Sequence, residues 1–301
     1  MNTLRLLAVF FRVSVLNETA YRVNFFLQLF QSLLELGTAL GGLAVIFTFT
    51  NSLAGWSPNE MLALVGVYFL VGGIISLVIQ PGMSALIDSV RDGTLDFTLT
   101  KPEDAQLLVS IQRVAIWSLL DLLMGAGVLV TALVRLGQRI GVAQAAGFVG
   151  MLLAGAIIVY SFWLILASLS FWLVRVENLL EIFQSMYQAG RWPVSLYPGW
   201  LRFALTFIVP VAFATSVPAE ALTGRLSGTT LLGAFGLAIL LAAIARLIWR
   251  LGNKRWSAST PSFSSVHGCW QMRKQVPTPP RLTLPPRRCA GKIRSAAAKC
   301  T

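Results

Sequence analysis

Residues 23–50 form a nearly continuous apolar run, too long for a soluble core helix, and similar runs recur at about 61–86, 107–134, 145–174 and 229–250. At about 1.5 Å per residue, each can cross the roughly 30 Å of hydrocarbon in a bilayer. Inside lipid every backbone N–H and C=O must find a partner within the protein, and a run of this length satisfies them as a helix. The chain therefore reads as all-α, a polytopic helical membrane protein. Its composition agrees, with 56% hydrophobic and only 12% charged residues among 301.

The interval 84–106 breaks this pattern, packing five carboxylates with Arg91 and Lys101 between two apolar runs. In a membrane it must be a solvated or surface-lying loop. Residues 51–59, with Trp56 and Pro58, and residues 135–144 read as turns at the opposite face. Residues 1–22 alternate Arg5, Arg12 and Arg22 with leucine, valine and phenylalanine. Arg12 interrupts what would be the apolar stretch of a signal peptide, so an amphipathic helix lying on the lipid surface fits better. With the N-terminus inside, the cytoplasmic ends hold most of the arginines and lysines, which places both termini and the 84–106 loop in the cytoplasm.

Two readings of residues 176–222 compete. In one, 201–217 is the fifth span and 177–200 an inner amphipathic segment. In the other, 176–194 spans the membrane with Glu177, Glu181, Gln184 and Gln188 facing protein, while 197–222 dips into the outer leaflet as a hairpin. Pro193, Pro198, Pro210 and Pro218 suit broken, re-entrant helices, and the second reading is preferred on that ground. The expected architecture is six transmembrane helices over 23–252 with a re-entrant hairpin before the last.

From 253 to 301 the chain is basic, proline-rich and free of acids, and is expected to be a disordered tail. The net charge of +12 belongs to this end, since residues 251–301 carry 10 Lys/Arg against no Asp/Glu. The hydrophobic body thus carries no nucleic-acid signal. Metal and thiol chemistry lack a constellation: the single histidine, His267, and all three cysteines lie in the tail without ligand spacing. No glycine-rich phosphate loop is present, because Gly291-Lys292 lacks both the upstream glycine and the following hydroxyl residue. No cofactor is expected, the chain does not read as an enzyme, and any nucleotide-driven motor is on another chain.

Two acids fall within apolar runs, Glu35 in the first and Asp121 in the third. A charge at that depth costs about 2.5–3.5 kcal/mol on insertion scales, so each must face the bundle. They are candidates either for a polar substrate path or proton site, or for interhelical hydrogen bonds. In the loop, Leu95, Phe97 and Leu99 alternate with polar residues and offer apolar anchors to a partner groove, with Gly93 and Pro102 setting the turns.

Six spans with both ends inside, the loop from Gly93 to Pro102, and the Tyr197-Pro198-Gly199-Trp200 and Val209-Pro210 segments together resemble the type-2 ATP-binding-cassette exporter permeases, specifically a poorly characterised bacterial branch. The likeness covers about residues 1–257. It implies a permease of the bacterial cytoplasmic membrane that pairs with a second permease subunit, as homodimer or heterodimer, and with two ATPase subunits. The implied ATPase-coupling segment holds Arg91, Gly93, Leu95, Phe97, Leu99, Lys101 and Pro102. Tyr197, Pro198, Trp200 and Pro210 are implied to form an outer cap on the path. The 42 residues after Ser259 depart from the family pattern. A secondary transporter subunit and a membrane assembly protein are the alternatives.

Overall fold

The computed structural model describes residues 22–96, 105–111, 113–137, 141–173, 177–225 and 227–259. Residues 1–21 and the loop positions Phe97, Leu99, Lys101 and Pro102 lie outside the described residues. Helix α1 runs Arg22–Phe49. A tight turn follows, with Ala54 and Gly55 at positive φ and Leu53 and Trp56 exchanging backbone hydrogen bonds of 3.0 and 2.9 Å. Ser57 then caps helix α2, Pro58–Arg91. The Glu60 N–H donates to Ser57 Oγ at 3.4 Å, the Ser57 N–H donates to the Glu60 carboxylate at 2.7 Å, and Pro58 occupies the first turn. This reciprocal cap satisfies donors that the helix start would otherwise leave unpaired.

Helix α2 is the buried centre of the bundle, and it contains a π turn at Ile75–Ile79. The altered ladder leaves the Leu77 carbonyl available to the Ala115 N–H, at 2.9 Å. That bond accounts for a departure from the sequence reading. The third apolar run is not one span from 107 to 134 but a short helix α3, Ala105–Ile111, an extended link at 113–115, and a membrane-length stretch from Ile116. Helix α4, Leu119–Leu136, ends at Gly137, whose φ of +62° closes the helix in the left-handed region. Helix α5 is Val142–Ser168.

Helix α6, Glu177–Tyr187, is followed by a 3-10 turn, Gln188–Arg191. Helix α7, Gly199–Phe203, passes into a π turn, Ala204–Ile208, and is followed by α8, Val211–Ala214, and α9, Ser216–Leu222. Val209 is extended and Pro210 brings no N–H, so the helix breaks there and the two arms meet at 70°. Residues 201–217 are therefore not one continuous helix, and the bent pair fits a re-entrant element. Helix α10, Gly228–Ser259, closes the order. Helical structure continues through 253–259, where the sequence placed the start of a disordered tail.

Among the described residues, five helical stretches are long and apolar enough to span a membrane, and the bent pair brings the number to six if it is counted as one. Their outer faces carry exposed Phe30, Phe49, Val134, Leu232 and Ile239, the surface a bilayer requires. The chain is thus a multi-pass membrane protein. Helices α2 and α4 meet backbone to backbone. A Cβ on Gly66 would lie 2.7 Å from the Leu129 nitrogen, one on Gly73 2.8 Å from the Leu122 nitrogen, and one on Gly125 2.8 Å from the Phe69 carbonyl carbon. Glycine at these three positions lets the helices approach this closely.

Candidate functional site

Three helices turn polar stripes toward one another. On α1 the stripe is Gln28, Gln31, Ser32 and Glu35, at the spacing of one helical face. On α2 it recurs every fourth residue as Tyr68, Gly72, Ser76, Gln80, Ser84 and Asp88, and on α6 and the turn after it the stripe is Glu181, Gln184 and Gln188. Ser118 and Asp121 at the start of α4 complete the lining. The stripes enclose a cleft of three adjoining cavities of about 150, 430 and 350 Å³. Gln184 borders all three, and its Oε1 is buried with no hydrogen-bond partner among the described residues.

The two acids expected to face the bundle meet in this cleft. Ser32 Oγ donates to the Asp121 carboxylate at 2.5 Å, and Glu35 lies one turn further along α1. Asp121 is in the first turn of α4 rather than midway along a span, because the helix begins later than its apolar run suggested. Glu35 pairs with Arg191 Nη2 at 2.8 Å. The guanidinium also sits 5.4 Å from the centroid of the Tyr68 ring, and the Tyr68 hydroxyl donates to Glu35 at 3.4 Å. Tyr187 stacks on Tyr68, with centroids 5.0 Å apart, and donates to the Tyr68 carbonyl at 2.8 Å. A cationic, aromatic plug therefore closes the inner end of the cleft.

Beyond the plug lies the bent pair. Tyr197 hydroxyl donates to the Ala189 carbonyl at 2.9 Å, tying this segment to the turn that carries Arg191. Burial pushes the Tyr197 phenol up, so it stays a donor at working pH. Pro210 is buried at the break, whereas Pro198 and Trp200 are exposed, Trp200 at 73%. At the same end Arg225 binds Glu60 and the Gly55 carbonyl, at 2.9 and 2.8 Å, and lies 5.5 Å from the Trp56 ring centroid. The end of α10 that begins at Gly228 is thus fastened to the start of α2.

At the opposite end, Arg91 pairs with Asp88 at 3.4 Å and with Asp92 at 3.6 Å, and Gly93 makes the turn out of α2 at φ +69°. Leu95 departs from its expected place. It was read as an apolar anchor offered to a partner, but it is 0% exposed and packed in this chain's own core. The next residue, Asp96, accepts a hydrogen bond from Trp256 Nε1 at 2.7 Å. Trp256 and Trp249 of α10 flank Phe171 at centroid distances of 6.3 and 5.9 Å. Helix α3 is fixed to the same end, since Arg246 donates to Gln106 and Ser110 shares a 2.7 Å hydrogen bond with Tyr160.

The sequence reading passed over Arg191 as a site residue, and it treated Gln184 and Gln188 only as a protein-facing side of α6. A lone arginine beside a proline-rich segment gives no sign of its partner 156 residues away. The polar repeat on α2 was a usable signal, because polar groups recurring within an apolar helix need cover from lipid.

The family model described as "ABC-2 family transporter protein" matches residues 33–260. That stretch takes in the cleft lining from Glu35 onward, the loop out of α2, the bent pair and all of α10. None of the curated proteins and none of the solved structures compared with the chain matches it.

Proposed function

The chain belongs to the ABC-2 family of transporter proteins, and from that premise we propose that it is the permease of an ATP-driven exporter in a bacterial cytoplasmic membrane. The cleft carries the proposal. A polar cleft lined by α1, α2, α6 and the start of α4 and stopped by the Glu35–Arg191–Tyr68 plug is the form expected of a transport path held closed on one side. Both termini face the cytoplasm in this reading, so the cleft opens inward at Asp88 and Glu181. The bent pair caps the path on the outside.

Energy comes from ATP-binding-cassette ATPase subunits on separate chains, and a second permease subunit completes the channel. The segment from Arg91 to Pro102 receives the push. Leu95 holds it to the bundle from within, and Phe97 and Leu99 are the anchors this reading assigns to the ATPase. Any shift of Asp96 is passed to α10 through Trp256 and to the plug through α2, which carries both Asp88 and Tyr68. Mild-detergent purification of the full chain from its host tests this. A copurifying ATPase of P-loop type, lost when Phe97 and Leu99 are both replaced by Asp, is the expected result. A chain that purifies with no ATPase, at normal membrane levels, refutes the proposal.

A further inference from the structure

We propose that the cleft accepts cations bearing N–H donors and turns anions away, with Asp121 as the counter-charge at its inner end. The proposal rests on the reading of the cleft as a transport path and adds the class of solute.

Every charged residue lining the three cavities is acidic: Glu35 and Asp121 in the inner two, Asp88 and Glu181 in the one at the mouth. They are not equivalent. Glu35 is neutralised by Arg191, and Asp88 by Arg91 and Arg113 at 3.4 and 3.5 Å. Asp121 and Glu181 take part in no ion pair among the described residues. A cleft walled by low-dielectric helices focuses the field of such groups, concentrating cations and repelling anions.

The hydrogen-bonding groups agree with the charge. Gln184, whose side chain borders all three cavities, has a buried Oε1 that receives no donor among the described residues. Among the described residues the Asp121 carboxylate receives only the Ser32 hydroxyl, which leaves further lone pairs open. An amine or guanidine supplies donors to both, and a carboxylate or phosphate supplies none. The protein already holds one such cation here, because the Arg191 guanidinium lies between the Glu35 carboxylate and the face of Tyr68. Cavities of about 430 and 350 Å³ are within the range for small organic ligands.

The test uses the full-length protein in nanodiscs of zwitterionic phosphatidylcholine, with empty nanodiscs subtracted. Ethidium is the cationic probe and fluorescein an anionic one of similar size. Saturable binding is expected for ethidium and not for fluorescein. Asp121→Asn, which keeps the shape and can still accept from Ser32, should weaken ethidium binding about tenfold or more, and Asp121→Glu should restore most of it. Equal binding of both probes, absence of saturable ethidium binding, or an Asp121→Asn protein that binds like the parent overturns the proposal. Absence of an ATPase partner would refute the permease reading alone and leave this binding result standing.

Discussion

Replacing Gly125 with alanine sets two effects of known sign against each other. Alanine is favoured over glycine within a helix by roughly 1 kcal/mol, so propensity alone predicts a more stable protein. The added methyl, however, would lie 2.8 Å from the Phe69 carbonyl carbon and 2.9 Å from the Leu70 Cα. Carbon atoms in contact rest at about 3.5–4.0 Å, so α2 and α4 must part by about 1 Å. The obstruction is backbone, which cannot rotate aside, and separating the helices also loosens the close approach at Gly66 and Gly73. Overpacking of this kind costs about 1–3 kcal/mol, and the backbone obstacle favours the upper part of that range, leaving a net loss of about 2 kcal/mol. Gly127, two residues on, is the control, because nothing lies within 4 Å of a Cβ built there. The fraction of protein remaining monodisperse after a heating series in detergent reads the outcome. Gly125→Ala should lower the midpoint by about 4–8 °C, while Gly127→Ala should leave it unchanged or raise it slightly. A Gly125→Ala midpoint equal to or above that of Gly127→Ala would refute the backbone-contact reasoning.

The Glu35–Arg191 pair invites a double-mutant cycle. Glu35→Gln and Arg191→Gln should each cost about 1–3 kcal/mol, less than a fully buried pair because Glu35 is 38% exposed to the cleft, and the double variant should cost less than the sum; strict additivity would show that the two do not interact. Trp256→Phe keeps a ring beside Phe171 but removes the bond to Asp96, so insertion should be normal while substrate-stimulated ATP hydrolysis falls severalfold; unchanged stimulation argues against α10 as a conduit. A cysteine at Gly199, where a side chain meets nothing within 4 Å, should react with an impermeant maleimide added outside the cell, and labelling only from the cytoplasmic side would overturn the outer-cap assignment.

The apolar runs announced most of the helices, and the prolines announced the break at Pro210. What escaped the sequence depended on contacts between distant segments. The interruption of the run 107–134 falls at the polar pair Gln112-Arg113, which a hydropathy reading absorbs into one long span, and the break is stabilised by a bond from Ala115 to a π turn on another helix. Leu95 was misread for a related reason. Alternation of apolar and polar residues shows that one side is covered but not whether a partner or the chain itself covers it, and at Leu95 the chain does. Glu35 and Asp121 were identifiable because an acid in hydrocarbon demands a reason. Their meeting across α1 and α4, and the cation that neutralises only one of them, required the fold.

The π turn in α2 has a geometric consequence for the cleft. At 3.6 residues per turn, each step of four residues drifts about 40° around a helix, so the five steps from Tyr68 to Asp88 would carry the stripe about 200°, to the back of the helix. A π turn takes up one additional residue and sets the winding back by about 100°. It lies between Gly72 and Gln80, near the midpoint of the stripe. The half nearest the plug and the half nearest the mouth are thereby kept on faces that a single groove can join. An unbroken α-helix with the same residues would aim Ser84 and Asp88 away from Gln184. The irregular turn thus acts as a phase correction, converting a spiral of polar side chains into the wall of a continuous passage.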